Sequence, residues 1–187
     1  VIATSTTDNN GKYSLTGISK GSYTIKVNKS GYTEVTENVT LQGNDKTFTK
    51  DITLTPINYN ISVQGTPVTG ANKDNVLGDG TVTYTPATTT EAQKLTLNGM
   101  SITNTSQIGI TASNDLTIAL SGENEISSSA HAIEMTNGTL TITGPGSLNA
   151  SSSSGQTTIY AGGNVIINSG AKITAINTST SNGDAIH

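Results

Sequence analysis

Glu123 and Glu125 stand two residues apart in the stretch SGENEI, and Asp115 precedes them in SNDLTIAL. Carboxylates at i and i+2 share one face of an extended strand. A pair of that kind can work as acid and base on a glycosidic bond when the two groups lie about 5–9.5 Å apart. It can equally help to hold a hard cation, which wants several oxygens from carboxylates, amide side chains and backbone carbonyls. Asn114, Asp115, Glu123, Asn124 and Glu125 bring such oxygens close to turns, and Asp115, Glu123 and Glu125 are the candidate calcium ligands. No D-x-D-x-D-G loop accompanies them, and the competing reading is ordinary turn chemistry by Asn and Asp. His131 and His187 lie far apart in sequence, so they read as separate polar side chains; a histidine metal site needs its ligands close together. Tyr160 is the only aromatic residue between Leu95 and the last histidine, and in IYA it reads as packing.

The elements that must position these side chains repeat. LTLNGMSI from Leu95, LTIALSGENEI from Leu116, LTITGPGSL from Leu140 and VIINSGAKI from Val165 begin 21, 24 and 25 positions apart. A second apolar position follows at Ile102, Ile126, Leu148 and Ile173. A third falls within residues 108–110, 132–135, 158–161 and 185–187. Each unit is three short strands joined by turns rich in Asn, Gly and Ser, and a period of this length marks a solenoid. Leu116, Ile118 and Leu120 alternate with Thr117 and Ala119, which is strand periodicity, and nothing between has helical length or period. The expected architecture is all-β: a right-handed parallel β-helix of about four rungs over 95–187, with rungs stacked about 4.8 Å apart. Asn114, Asn137, Asn164 and Asn168 recur near the turns and are expected to stack as an amide ladder.

Composition narrows the function. The chain has 187 residues, 12% of them charged, with nine Lys and no Arg and a net charge of −4. A basic nucleic-acid footprint is therefore absent. Cysteine is absent as well, which removes disulfides and thiolate metal sites. No apolar run approaches spanning length, and no signal peptide is visible. The abrupt beginning at Val1 and the stop within a rung at His187 suggest a fragment of a longer protein.

Residues 1–56 read as a separate unit of short strands and turns, with Asn9-Asn10-Gly11, Lys20-Gly21 and 43–45 as turns, and VIATSTTD, KYSLTGI, SYTIKVNK, EVTENVTL and TFTKDITL as strands. TTDNNGKYSLTGISKGSYTIKVNKSGYTEVTENVTL resembles the later part of a carboxypeptidase-regulatory-like domain, a prealbumin-like β-sandwich similar to Cna B-type modules. The matching positions are Asp8, Gly11, Tyr13, Gly17, Gly21, Tyr23, Val27, Gly31 and Tyr32. The family's N-terminal strand or strands are missing, so the Lys–Asn isopeptide chemistry of some relatives is not carried over. The resemblance implies a stalk or spacer. Residues 57–94 are expected to connect and to cap the first rung, since an open solenoid end leaves backbone groups unpaired. The run VTGANKDNVLGDGTVTYTPATTTEAQKLTLNGMSI, with SNDLTIALSGENEI and GGNVIINSGAKI, resembles repeat regions of surface proteins from clostridia and related Gram-positive bacteria. Some of those β-helical proteins are described as carbohydrate-binding, with calcium in the turns.

Many parallel β-helices cleave polysaccharides. A lyase of this kind needs a basic Arg or Lys with acids beside it. Here Arg is absent, and Lys172, read as the only rung lysine, has no acid near it in sequence. The reading is a non-enzymatic, extracellular, cell-surface or secreted fragment with an adhesive or structural role and no required cofactor. The alternatives are a calcium-assisted carbohydrate-binding module and, after it, a polysaccharide lyase or hydrolase. The expected partners are a polysaccharide or a host surface, with no nucleic acid and no membrane insertion. Open strand edges at both ends would let copies join into a homopolymer.

Overall fold

The computed structural model describes residues 1–43, 48–181 and 183–187, so the turn expected at 43–45 lies outside the described residues beyond Gly43. The chain divides into two compact units, Val1–Thr55 and Pro56–His187.

In the first unit β1 (Gly21–Val27) and β2 (Val35–Leu41) pair antiparallel, from Gly21 opposite Leu41 to Val27 opposite Val35. Tyr23, Ile25 and Val27 are more buried than the residues between them, as period two requires, and Val39 is the buried centre of β2. The expected turn after Asp8 forms: Asn10 N and Lys12 N both donate to Asp8 Oδ1 at 2.8 Å. The other expected strands, VIATSTTD, KYSLTGI and the described part of TFTKDITL, form no ladder. An alternating stretch becomes a strand only through a paired neighbour, and Val1 and Ile2 lie exposed. Two contacts still tie the segments together, Tyr13 Oη donating to Lys50 O at 2.9 Å and Thr33 N to Thr55 O at 2.9 Å.

The second unit is a parallel β-solenoid of about four turns. It opens with β3 (Asn58–Val63), β4 (Thr66–Thr69) and β5 (Val82–Thr85). The first rung is β6 (Gln93–Asn98), β7 (Ser101–Thr105) and β8 (Ile110–Ala112). The second is β9 (Leu116–Ser121), β10 (Glu123–Ser128) and β11 (Ile133–Met135). The third is β12 (Leu140–Thr143), β13 (Ser147–Ser152) and β14 (Ile159–Ala161). The fourth holds β15 (Val165–Ile167), β16 (Lys172–Asn177) and the bridge of Ile186 to Ile159. Each of the first three rungs contributes one strand to each of three sheets, and the fourth contributes two strands and the bridge, so like stacks on like.

Columns of inward side chains hold the coil together. Leu95, Ile118 and Ile142 form one column and Ile110, Ile133 and Ile159 another, all sealed from solvent. A buried Leu or Ile contributes about 1.5–3 kcal/mol, and no rung could seal its own apolar edge alone.

The register corrects the expected alignment at two places. Gln93, not Leu95, is opposite Leu116, so the first rung starts two residues earlier and includes Lys94 as a second rung lysine. Ile102 and Ile126 stack on Ala150, whereas Leu148 and Ile173 belong to the column of Asn124. Alternation hid both shifts, because a slip of two keeps the same face inward.

Antiparallel strands cover the first rung on two sheets. β3 pairs with β8 and with β4, and β5 pairs with β6. Pro67 on β4 removes one donor from that outer strand. Tyr59 packs on Tyr84 with ring centroids 4.6 Å apart, and Tyr84 Oη donates to buried Gln93 Oε1 at 2.9 Å. A homopolymer growing by head-to-tail rung stacking would need those first-rung edges, and two of the three are already occupied.

The corner after the second strand of each rung is built on a polar side chain. Thr105 Oγ1 accepts Gln107 N, Ser128 Oγ accepts Ala130 N and Asn177 Oδ1 accepts Ser179 N. Ser152 Oγ instead pairs with Thr158 Oγ1 at 2.8 Å, and Thr158 donates onward to Ile176 O. This corner spans 106–109 in the first rung, 129–132 in the second and 153–158 in the third, ending on the same strand each time.

Candidate functional site

Two outer surfaces carry the chemistry-bearing side chains. On β10 the burial alternates from Glu123 onward, so Glu123 and Glu125 project outward and Asn124 inward. The Gly122 turn, with φ of +65°, starts this strand directly after β9. Glu123, Ser147 and Lys172 occupy one outward column across three rungs. They line an open groove of about 260 Å³ with Gly122, Pro145 and Gly146. Lys172 thus shares a groove with Glu123, two rungs away in the same column, with Ser147 between them. Glu125 lies in the neighbouring column with Ser101, Asn149 and Thr174.

Asp115 belongs elsewhere. It sits in the turn before β9, and its Oδ1 accepts Thr139 N of the next rung at 2.7 Å. The length of β9 separates it from Glu123 and Glu125, so the structure does not bring the three candidate calcium ligands into one site. Among the described residues no group of three His, Asp or Glu side chains stands where it could hold a metal ion. Asn124 is committed to the coil. Its Oδ1 accepts Met100 N at 3.0 Å from the rung before, and its Nδ2 donates to Ser121 O and to Ser147 O of the rung after, both at 3.1 Å.

The amide ladder is also corrected. Asn114 stands two residues before Leu116, Asn137 three before Leu140 and Asn164 one before Val165, while those three apolar residues share a register. The amides therefore fall out of step, and Asn168 lies in a different corner. Asn124 performs the inter-rung bonding that the ladder was expected to supply.

The second surface is a ring column that sequence spacing concealed. Tyr160 lies between His131 and His187, with centroids 5.8 and 5.6 Å away, and its plane is within 2° of that of His187. Glu134 is in register with Tyr160 on the outer face of β11. His131 Nδ1 meets Thr157 O, and as the donor there it leaves Nε2 as the free nitrogen. His187 Nδ1 is 3.9 Å from Asp184 Oδ2. His187 stacks on Tyr160 and His131 lies tilted beside it, which crowds the open face that sugar stacking needs. No sequence signal reveals this column, because His131 sits in a corner and Tyr160 and His187 in strand register.

The described residues of the first unit hold the β1–β2 ladder, the Asp8 turn, the Tyr13 contact to Lys50 and two surface ion pairs, Lys26 with Glu34 and Lys50 with Glu37. Residues 1–55 match the model of the carboxypeptidase regulatory-like domain family. The resemblance read from Asp8, Gly11, Tyr13, Gly21 and Tyr32 falls within that match, and the regulatory-like domain is a β domain preceding the solenoid. No curated protein and no solved structure matches the chain. Among the described residues no helix is long and apolar enough to cross a membrane.

Proposed function

We propose that this chain is a non-enzymatic part of an extracellular surface protein, with a structural or adhesive role in which the solenoid is a stiff spacer. The observation that carries the reading is the filling of the coil. Its inward columns are mostly sealed apolar side chains, with Asn124, Ser128 and Ser152 as buried, hydrogen-bonded exceptions, and its outward columns are mostly Thr, Ser and Asn. A solenoid packed to its axis resists deformation, because interiors at crystal-like density transmit load instead of yielding. The regulatory-like domain before it suits a stalk. The resemblance of residues 57–187 to repeats of Gram-positive surface proteins supports a place outside the cell. The groove of Glu123, Ser147 and Lys172 favours carbohydrate binding as a second reading, with calcium as an accessory.

One experiment separates the two. The 187-residue protein, labelled with 15N, is titrated with oligosaccharides of plant and host type, with and without calcium. The structural reading expects no saturable shift at Gly146, Ser147 or Lys172. Saturable shifts there would move the assignment to carbohydrate binding. Loss of polymer with release of reducing ends, abolished by Glu123→Gln, would overturn both readings in favour of an enzyme.

A further inference from the structure

We propose that Asn137 is a site of spontaneous deamidation, selected by the fold from among chemically alike Asn-Gly pairs. The chain has four such pairs, at Asn10, Asn98, Asn137 and Asn182. Asn182 lies outside the described residues. The chemistry is the same in each: the backbone N of the glycine attacks Cγ of the asparagine side chain. The Cγ–Nδ2 bond breaks, ammonia leaves with the proton released from the glycine nitrogen, and a succinimide remains. Water then opens that ring at either carbonyl, giving aspartate or isoaspartate. Glycine favours the step because it has no side chain to obstruct the approach and its backbone is unrestricted.

The fold treats the three described pairs differently at the attacking atom. Gly11 N donates to Asp8 O at 3.0 Å, and Asn10 N is held by Asp8 Oδ1. Gly99 N donates to Ser121 O at 3.3 Å, and Asn98 N donates to Thr81 O at 2.9 Å. Both glycine nitrogens would have to give up a hydrogen bond before they could attack. Gly138 N has no acceptor among the described residues, although its neighbour Thr139 N is bound to Asp115 Oδ1. Gly138 is in the left-handed region at φ +81°, and Asn137 is exposed, so its amide is open to water. The one glycine nitrogen left unbound thus belongs to an exposed asparagine at a corner of the coil.

The product disturbs the rung contact. An isoaspartate inserts a methylene into the backbone between β11 and β12, where Thr139 N meets Asp115 Oδ1 and Leu116 N donates to Thr139 O at 3.0 Å. It also makes the net charge one unit more negative than −4.

The test is peptide mapping by mass spectrometry of the whole protein, incubated at mildly alkaline pH with and without urea and sampled over time. In the native protein Asn137 should convert well ahead of Asn10 and Asn98, with an acidic shift on isoelectric focusing that Asn137→Gln suppresses. In urea the three rates should converge, which shows that the difference belongs to the fold. Native conversion of Asn10 or Asn98 at or before Asn137 overturns the proposal. So does an Asn137 that stays intact in the native protein while converting in urea.

Discussion

Replacing Asn124 by Asp tests whether its oxygens serve the coil or a cation. The two side chains have nearly the same shape, so packing is unchanged. Asp can still accept Met100 N through one oxygen. The other oxygen then faces Ser121 O and Ser147 O, both 3.1 Å from the present nitrogen. Leaving a buried carbonyl unpaired costs about 1–3 kcal/mol. Two such losses, and a carboxylate with 1% of its surface exposed at that position, predict a loss of about 4 kcal/mol. That is a large part of the usual 5–15 kcal/mol of stability and lowers Tm by about 10 °C. Asn124→Leu avoids the charge but leaves Met100 N unpaired as well as the two carbonyls, so it should cost a comparable amount and show no response to calcium. The assay is thermal and urea unfolding followed by circular dichroism, with and without calcium. If Asn124 belonged to a calcium site, the added charge would tighten it and the ion would restore stability by linkage. A loss below about 1 kcal/mol, or recovery with calcium, would refute the structural role.

Gly146→Ala should unfold the third rung, because its Cβ would stand 2.6 Å from Gly122 O and 2.8 Å from Ser121 N; Gly78→Ala has open space and only its positive φ to resist it, so it should cost about 1 kcal/mol, as urea midpoints would report. Leu140→Ala, in a sealed column, should cost about 2–5 kcal/mol. Burial, with a smaller effect from Tyr59, pushes the Tyr84 phenol up to about 12. The folded state therefore keeps a proton that the unfolded chain loses near pH 10, so this contribution to stability is full below pH 10 and fades towards pH 12. Tyr84→Phe should remove that alkaline slope in unfolding experiments.

The solenoid was legible because every rung places apolar residues at period two and each strand is bounded by turn residues. Its register was not, because successive rungs differ in length and a slip of two leaves Leu95 or Leu148 still pointing inward. The calcium candidates failed to meet for the same reason: sequence distance says little when Asp115 and Glu123 sit on different sides of a coil. Conversely, Tyr160 and its two histidines are distant in sequence and adjacent by stacking, and Glu123 and Lys172 share one outward column with Ser147 between them. In the first unit the alternation of VIATSTTD was visible, but a partner strand is a non-local fact that no local period contains.

The corner closed by Ser152 and Thr158 accommodates a longer path between the same two strands without disturbing the rungs on either side. Length there is decoupled from the coil, so relatives of this protein should tolerate insertions at 106–109, 129–132 and 153–158. A foreign peptide grafted at 153–158 would be displayed at a fixed height along the rod, which makes this corner the natural place for a lineage, or an engineer, to write a new specificity onto an unchanged frame.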